Sequence, residues 1–246
     1  MRPTSLALPA IDITGLAKDY HGLRPLRIER LTVASGEQVA VLGLDQPMAE
    51  TFVNLVTGAA LPEQGVVTLF GRPTSEIVDS ADWLGVIDRF GIVSERAVLL
   101  DALTVIQNLS IPFTLDIEPP SEETRARAAL LAAEVGIPEA EWSRPVGEAD
   151  AAGRLRIRLA RALALDPAVL LLEHASAGLP RDGIAAVGAR IRDVASSRGC
   201  ALLAVGADED FASSTAFRVL RLDPATGRLS DVAEKRGRWS FFRRDR

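Results

Sequence analysis

Residues 159–180 read LARALALDPAVLLLEHASAGLP and predict a helix, a stop and a buried strand in succession. Asp166 and Pro167 end the preceding helical pattern, because proline lacks the backbone N–H that a helix interior needs. The run that follows, residues 168–172, is wholly apolar, which is typical of a strand covered on both faces. The stretch therefore predicts a central strand of a parallel sheet, with Glu173 and His174 at its end.

The same alternation of strands and helices extends outward in both directions along the chain. Predicted strands lie at residues 10–14, 26–33, 38–43, 66–70, 168–172, 201–205 and 217–222. Predicted helices lie at residues 49–57, 103–109, 121–135, 153–165 and 181–198. The first two strands form a short antiparallel pair, whereas strands that alternate with helices indicate an α/β fold with a mainly parallel sheet.

Composition and charge exclude several classes of protein. The chain has 246 residues, of which 48% are hydrophobic and 25% charged, so it has material for a sizeable core and is not a disordered protein. A net charge of −5 argues against a basic nucleic-acid binder. Because Cys200 is the only cysteine and His21 and His174 are the only histidines, no multi-cysteine or histidine-rich metal site is predicted.

The sequence predicts neither a membrane span nor a signal peptide. The longest apolar candidate, residues 160–172, is interrupted by Arg161, Asp166 and Pro167, whereas a bilayer span takes roughly 18 apolar residues. The first residues, MRPTSLALPAIDITG, have no long apolar core before a cleavage site. We therefore expect a soluble, cytoplasmic chain.

Three stretches, in order and at matching spacing, resemble the ATP-binding subunit of ABC transporters over about residues 10–230. Residues 159–180 are similar to the family's helix after the signature, its Walker B strand and its D-loop. LTVIQNLSIPF (103–113) is similar to the segment after the Q-loop, and SGEQVAVLG (35–43) and GVVTLFGRP (65–73) flank the place of a phosphate loop. The resemblance implies a P-loop NTPase-like sheet, an N-terminal antiparallel β subdomain and a helical subdomain at about residues 96–160.

The segment that aligns with the phosphate loop departs from the motif G-x-x-x-x-G-K-[ST]. In that motif, glycines let backbone N–H groups surround phosphates, lysine neutralises them and the hydroxyl holds magnesium. Gly43 keeps the first glycine. Met48, Ala49 and Glu50 stand where the second glycine, the lysine and the hydroxyl belong. Thr51 still offers a hydroxyl, one position late.

The loss of the lysine weighs against ATP and magnesium, the cofactors that the resemblance implies. One pair of unit charges about 6 Å apart, at an effective dielectric constant near 20, is worth roughly 3 kcal/mol. Losing the lysine and gaining Glu50 beside a triphosphate therefore disfavours binding by several kcal/mol. Pro47 also removes one backbone donor. Lysine occurs only at Lys18 and Lys235, so an arginine is the remaining substitute.

The resemblance assigns the other motif positions as well. The Q-loop glutamine, Walker B aspartate, catalytic glutamate, D-loop aspartate and switch histidine align in that order with Glu95, Glu173, His174, Pro180 and Ala207. The signature motif aligns with Ala149, Asp150, Ala151, Ala152 and Gly153. Asp150 thus puts a carboxylate where a phosphate-binding hydroxyl belongs. Together these substitutions predict a pseudo-ATPase.

Several of these residues have two interpretations. His174 is either a general base near neutral pH or only the residue that ends a buried strand. Tyr20 aligns with the aromatic residue that stacks on adenine in the family, and otherwise packs on the small antiparallel sheet. Glu173 either binds a metal beside Thr51 or is a buried acid paired with an arginine.

Two basic segments are also open to alternatives. Arg154, Arg158 and Arg161 share one face of a predicted helix, which receives Asp150 or a nucleotide of a partner subunit, or is simply solvated. The tail at residues 235–246, KRGRWSFFRRDR, follows an ABC ATPase-like domain at residues 1–234. Its aromatics among arginines suit anionic lipid or a partner, and the alternative is a terminus without such a role.

The leading hypothesis is a nucleotide-binding-domain-like subunit of an ABC transporter with impaired or lost ATPase activity. The resemblance implies a membrane permease as partner, a location on the inner face of the cell membrane, and a homodimer or a heterodimer with an intact ABC ATPase. One alternative is a working ATPase in which His174 is the base and an arginine replaces the lysine. The other is a nucleotide-free scaffold or regulator of a membrane complex. No nucleic-acid partner is predicted.

Overall fold

The computed structural model of the chain describes residues 8–232. The tail predicted at residues 235–246 lies outside this range. Within it, the strands are β1 (Ile11–Lys18), β2 (Leu26–Val33), β3 (Gln38–Leu42), β4 (Gln64–Leu69), β5 (Arg72–Pro73), β6 (Phe90–Val93), β7 (Val169–Glu173), β8 (Ala201–Gly206), β9 (Arg218–Leu222) and β10 (Leu229–Asp231). The α-helices in the same range are α1 (Gln46–Val56), α2 (Ser80–Ile87), α3 (Val105–Ser110), α4 (Glu122–Val135), α5 (Ala151–Leu163), α6 (Arg181–Arg198) and α7 (Glu209–Thr215).

The strands of residues 8–232 form two sheets. One is antiparallel and four-stranded, in the order β2-β1-β4-β5. The other has six strands in the order β10-β9-β3-β8-β7-β6. In this sheet the strands β9, β3, β8, β7 and β6 pair in parallel. Of its described strands, only β10 runs antiparallel to its neighbour, β9. The predicted α/β fold, with a mainly parallel sheet and an N-terminal antiparallel sheet, is confirmed.

Apolar side chains cover both faces of the large sheet. Every residue of β3 and β7 is buried, as expected for central parallel strands. One cluster includes Leu109 and Ile157 from the helices, and the cluster on the opposite face includes Ile11 and Phe52. Among the described helices, none is long and apolar enough to cross a membrane.

Two helices begin earlier than the apolar pattern predicts. The predictions started at residues 49 and 153, whereas α1 begins at Gln46 and α5 at Ala151. In both cases an aspartate precedes the helix and caps it, Asp45 for α1 and Asp150 for α5. Proline is compatible with the first turn of α1, because the amides there have no partner within the helix.

Several elements have no counterpart in the sequence predictions. Strand β6 is only four residues long and contains Gly91, which weakens the strand pattern. Helix α2 has only eight residues and buries none of them completely, so its apolar residues span too few turns for a clear helical period. Helix α7 has only seven residues, too few for a clear helical period.

Cys200 is buried just before β8. Burial raises the pKa of its thiol to about 11, so roughly one molecule in a thousand carries the reactive thiolate at about pH 8. We therefore expect a thiol reagent to label the chain only after denaturant unfolds it. The measurement is the labelling time course with and without denaturant, and rapid labelling of the native chain would contradict this prediction.

Candidate functional site

The carboxyl ends of the parallel strands meet at one edge of the large sheet, where ligands bind in open α/β sheets. The amide of Gly43, after β3, donates to the carbonyl of Gly206 at the end of β8 at 3.1 Å. The amide of His174, after β7, donates to the carbonyl of Val205 at 2.9 Å. The fold therefore brings the predicted residues Gly43, Glu173 and His174 to one edge.

The first turn of α1 is capped by the chain's own carboxylate. Asp45 accepts a hydrogen bond from the amide of Met48 at 2.9 Å. Its carbonyl accepts one from the amide of Ala49, also at 2.9 Å. The free backbone amides at the start of a helix can bind an anion. Here the amides of Met48 and Ala49 already have acceptors within the chain, and Pro47 has no amide hydrogen to donate.

The remaining predicted residues of the loop also have partners within the chain. The hydroxyl of Thr51 donates to the carbonyl of Pro47 at 2.9 Å. Glu50 accepts a hydrogen bond from the Gln46 amide at 3.1 Å. Met48 and Ala49 are buried. Their side chains thus belong to the core rather than to an open cradle.

Glu173 is the centre of a buried polar network. Its side chain is completely buried. One carboxylate oxygen accepts a hydrogen bond from the Gln46 side-chain Nε2 at 2.9 Å, and the other pairs with the Arg96 guanidinium. Of the two interpretations of Glu173, the acid paired with an arginine is the one observed. The network links β7, the start of α1 and the segment after β6.

The residues around Glu173 do not fit a magnesium ion, which the family resemblance implies. Magnesium takes oxygen ligands, usually carboxylates, waters and substrate phosphates. Both carboxylate oxygens of Glu173 already have partners, Gln46 and Arg96. The positive charge of the Arg96 guanidinium lies where a magnesium ion would place its charge. Within residues 8–232, no group of three or more His, Cys, Asp or Glu side chains is placed to hold a metal ion.

His174 follows Glu173 in the chain and lies next to this network. Its backbone is left-handed, with φ of 44°. Among the described residues, its buried Nε2 has no hydrogen-bond partner. The ring lies beside Gly206 and lines a cavity of about 10 Å³ that also involves Asp208. A general base works through a positioned ring, so this geometry favours the interpretation of a strand-end residue.

The start of α5, where the predicted signature residues lie, repeats the arrangement seen at α1. Asp150 accepts a hydrogen bond from the amide of Gly153 at 2.6 Å. Ala149 precedes this cap, and Ala151 and Ala152 form the first turn of the helix. At each of the two helix starts, a carboxylate of the chain thus accepts a hydrogen bond from one backbone amide.

The three-arginine face of α5 is turned onto its own chain. Arg154 pairs with Asp101 at 2.8 Å, and the guanidinium of Arg161 donates to the carbonyl of Val98 at 2.7 Å. Arg158 donates to the carbonyl of Ala97 at 3.3 Å. Burial lowers the pKa of Arg158 and Arg161. The face is therefore not simply solvated, and it holds the segment at residues 97–101.

Tyr20 packs against the core cluster that includes the antiparallel sheet. Burial raises the pKa of its phenol, and the charge of Asp45 adds to that effect. Gly22 lies beside the ring, where an added Cβ would approach it to 2.5 Å. These contacts favour the packing interpretation over a surface for a base.

Comparison with known proteins identifies relatives of this chain. No protein-family model matches it. The lipoprotein-releasing system ATP-binding protein LolD of Chromohalobacter salexigens is 30% identical over 203 residues, which cover 82% of this chain and 84% of LolD. This chain belongs to the ATP-binding subunits of ABC transporters.

Further relatives and solved structures agree with the assignment to ABC transporters. The methionine import ATP-binding protein MetN of Brucella abortus is 26% identical over 241 residues, 98% of this chain, and the chain spans 63% of the length of MetN. Structure cbiO1 of Clostridium perfringens, part of the ABC transporter complex cbiONQ, has a TM-score of 0.77 at 20% identity and covers 96% of both chains. A dimeric ATP-binding cassette bound to ADP and Pi has a TM-score of 0.72 at 19% identity, with 90% of this chain and 98% of that chain covered. The solved structures show the ABC cassette fold.

In this ABC subunit, three of the predicted site residues lie at the surface, and two residues of the buried network were not predicted. Glu95, Pro180 and Ala207 are exposed, at the segment after β6, the start of α6 and the loop after β8. The sequence reasoning missed Gln46 and Arg96, which complete the network of Glu173. The sequence held a signal only for an arginine, because a buried carboxylate needs a charged partner, and it held none for the neutral Gln46.

Proposed function

We propose that this ABC transporter subunit works without hydrolysing ATP, and that it binds ATP weakly or not at all. The observation that carries the proposal is the hydrogen bond from the backbone amide of Met48 to the Asp45 carboxylate. It lies at the start of α1, where a phosphate would have to bind. A phosphate would have to displace that cap, which is worth about 1 kcal/mol. It would also meet the negative charges of Asp45 and Glu50, each costing roughly 3 kcal/mol at about 6 Å.

In a dimer, the signature segment of this chain would also weaken ATP binding. In the family, the phosphate loop of one chain faces the signature of its partner. In a homodimer of this chain, an Asp45-capped loop would face Asp150, so a phosphate would meet a carboxylate on both sides of each site. In a heterodimer with an intact ABC ATPase, the partner's loop would face the Asp150 carboxylate. Either dimer leaves at most one site able to hold ATP.

We infer that the remaining role is to dock on a membrane permease and hold or couple it at the inner face of the membrane. An apolar docking surface supports this: Val98 is 71% exposed and Leu100 is 44% exposed, on the segment that the α5 arginines hold. The relatives are named for different cargo, methionine and lipoproteins. The proposal therefore names a role in a transporter and no cargo. If the chain never responds to nucleotide, that role is the one of a scaffold.

The first test is calorimetry of the purified chain with millimolar ATP, with and without magnesium. We expect no detectable heat of binding, because Asp45 caps the amide of Met48, Pro47 has no amide hydrogen, and two acidic side chains lie at the start of α1. Micromolar, magnesium-dependent binding would overturn the proposal.

The same preparation distinguishes the unorthodox ATPase. That alternative requires magnesium-dependent turnover that disappears in His174→Ala, with His21→Ala, at the exposed second histidine, as the matched control. We expect no turnover above background in any of the three proteins. Co-purification with a membrane permease, without any response to nucleotide, would support the scaffold role.

A further inference from the structure

The Arg96–Glu173 pair joins a completely buried carboxylate to an arginine that reaches it from the surface. The Glu173 side chain is 0% exposed, whereas that of Arg96 is 44% exposed. A buried carboxylate without a compensating cation is strongly unfavourable. Arginine is suited to the position because its guanidinium stays charged and donates several hydrogen bonds.

The position of Arg96 is fixed by the segment that carries it. The amide of Arg96 donates to the Ser94 hydroxyl at 3.1 Å, and the amide of Ala97 donates to the Ser94 carbonyl at 3.1 Å. Ser94 itself is buried directly after β6. Beyond it, Arg158 and Arg161 hold the carbonyls of residues 97 and 98. The segment at residues 94–101 is thus attached at one end to β7 and at the other to α5.

We propose that the Arg96 guanidinium is a built-in cation that takes the place of a divalent metal at Glu173. Through Glu173 and Gln46, it keeps the segment at residues 94–101, the end of β7 and the start of α1 in one arrangement that needs no nucleotide. This inference rests on the proposed function, because a metal–nucleotide complex would compete for the same carboxylate. It makes Arg96 a positioning residue for the docking surface at Val98 and Leu100.

The test is thermal unfolding of the full chain with and without millimolar Mn²⁺ or Mg²⁺. We expect the wild-type melting temperature to be unchanged by either ion. Arg96→Ala removes the cation and is expected to lower the melting temperature by roughly 6–20 °C. Mn²⁺ is expected to restore part of that loss. The matched control is Arg181→Ala, at an exposed arginine of α6, for which a change within about 2 °C is expected.

A second variant keeps the proposal testable if Arg96→Ala does not fold. In Arg96→Ala/Glu173→Gln the buried group is neutral, so the double variant is expected to melt above Arg96→Ala and to ignore Mn²⁺. A wild-type melting temperature that rises with either ion would overturn the proposal. So would an Arg96→Ala variant as stable as Arg181→Ala, or a double variant no more stable than the single one.

Failure of the proposed function would look different. Micromolar Mg-ATP binding by the wild-type chain in calorimetry would overturn the loss of nucleotide binding. If the melting temperatures still followed the expected order without nucleotide, Arg96 would remain the cation that compensates Glu173, and only its role in a subunit that needs no nucleotide would be overturned. Spin-resonance detection of Mn²⁺ bound to Arg96→Ala, and not to the wild type, gives a readout that is independent of stability.

Discussion

Replacing Phe52 with alanine is expected to lower the free energy of unfolding by about 3–5 kcal/mol. Phe52 is completely buried on α1, in the core cluster shared by the antiparallel sheet and one face of the large sheet. Removing its ring leaves a cavity that close-packed neighbours fill only in part. Denaturant unfolding followed by circular dichroism measures the change, with the dependence on denaturant expected to stay the same.

Phe217→Ala is the matched control, because it removes the same ring from a residue that is 78% exposed. Its contact in the structure is the guanidinium of Arg192, 5.4 Å from the ring centre. A cation–π contact at an exposed site is worth about 0.5–1 kcal/mol, so we expect a loss no larger than that. Equal losses for the two variants would contradict the prediction.

The Phe52→Ala variant also reports on what holds α1 in place. A ligand that binds only the folded chain raises its stability in proportion to the logarithm of its concentration over its dissociation constant. Since Asp45 and the core already fix α1, millimolar Mg-ATP is expected to leave the stability of Phe52→Ala unchanged. Recovery of stability with Mg-ATP would mean that the helix start does bind nucleotide.

Gly91→Ala is expected to cost about 3 kcal/mol or more, at the upper end for overpacking. A Cβ at this position of β6 would lie 2.3 Å from the carbonyl oxygen of Ala162 on α5. Neither group is the end of a flexible side chain, so the helix has to move away from the strand. The movement would also pull Arg158 and Arg161 from the carbonyls that they bind.

The matched control for Gly91→Ala is Gly85→Ala. Gly85 lies in α2, and a Cβ there meets no atom within 4 Å. Alanine in a helix interior is favoured over glycine by roughly 0.5–1 kcal/mol, so this variant is expected to be slightly more stable than the wild type. Denaturant unfolding measures both, and hydrogen exchange of residues 97–101 is expected to quicken only in Gly91→Ala. A Gly91→Ala variant as stable as Gly85→Ala would contradict the close approach of β6 and α5.

The sequence was a good guide to the central strands of this fold and a poorer guide to the site. The strands at β3, β7 and β8 were predicted because a strand buried on both faces reads as an uninterrupted apolar run. The starts of α1 and α5 were missed because Asp45 and Asp150 extend each helix beyond its apolar stripe. Capping aspartates are local signals, but the predictions weighted periodicity above them.

The polar network at Glu173 could not be predicted residue by residue. Its partners lie 77 residues away, at Arg96, and 127 residues away, at Gln46. Which of many arginines reaches a buried carboxylate depends on how β6 and β7 are placed in the sheet, and that is a property of the tertiary fold. The need for some cation followed from burial, and its identity did not.

The aspartate caps of α1 and α5 have a consequence for how this subunit takes part in a cycle. A ligand shifts an equilibrium between two conformations only by the difference in its affinity for them. Asp45 and Asp150 already supply a negative charge at both helix starts, so under the proposed function ATP would bind the two conformations with little difference in affinity. We therefore expect the populations of this chain's conformations to follow the state of the proteins bound to it. In such an assembly this chain would favour the same conformation throughout the transport cycle, and the partner would determine when the conformation changes.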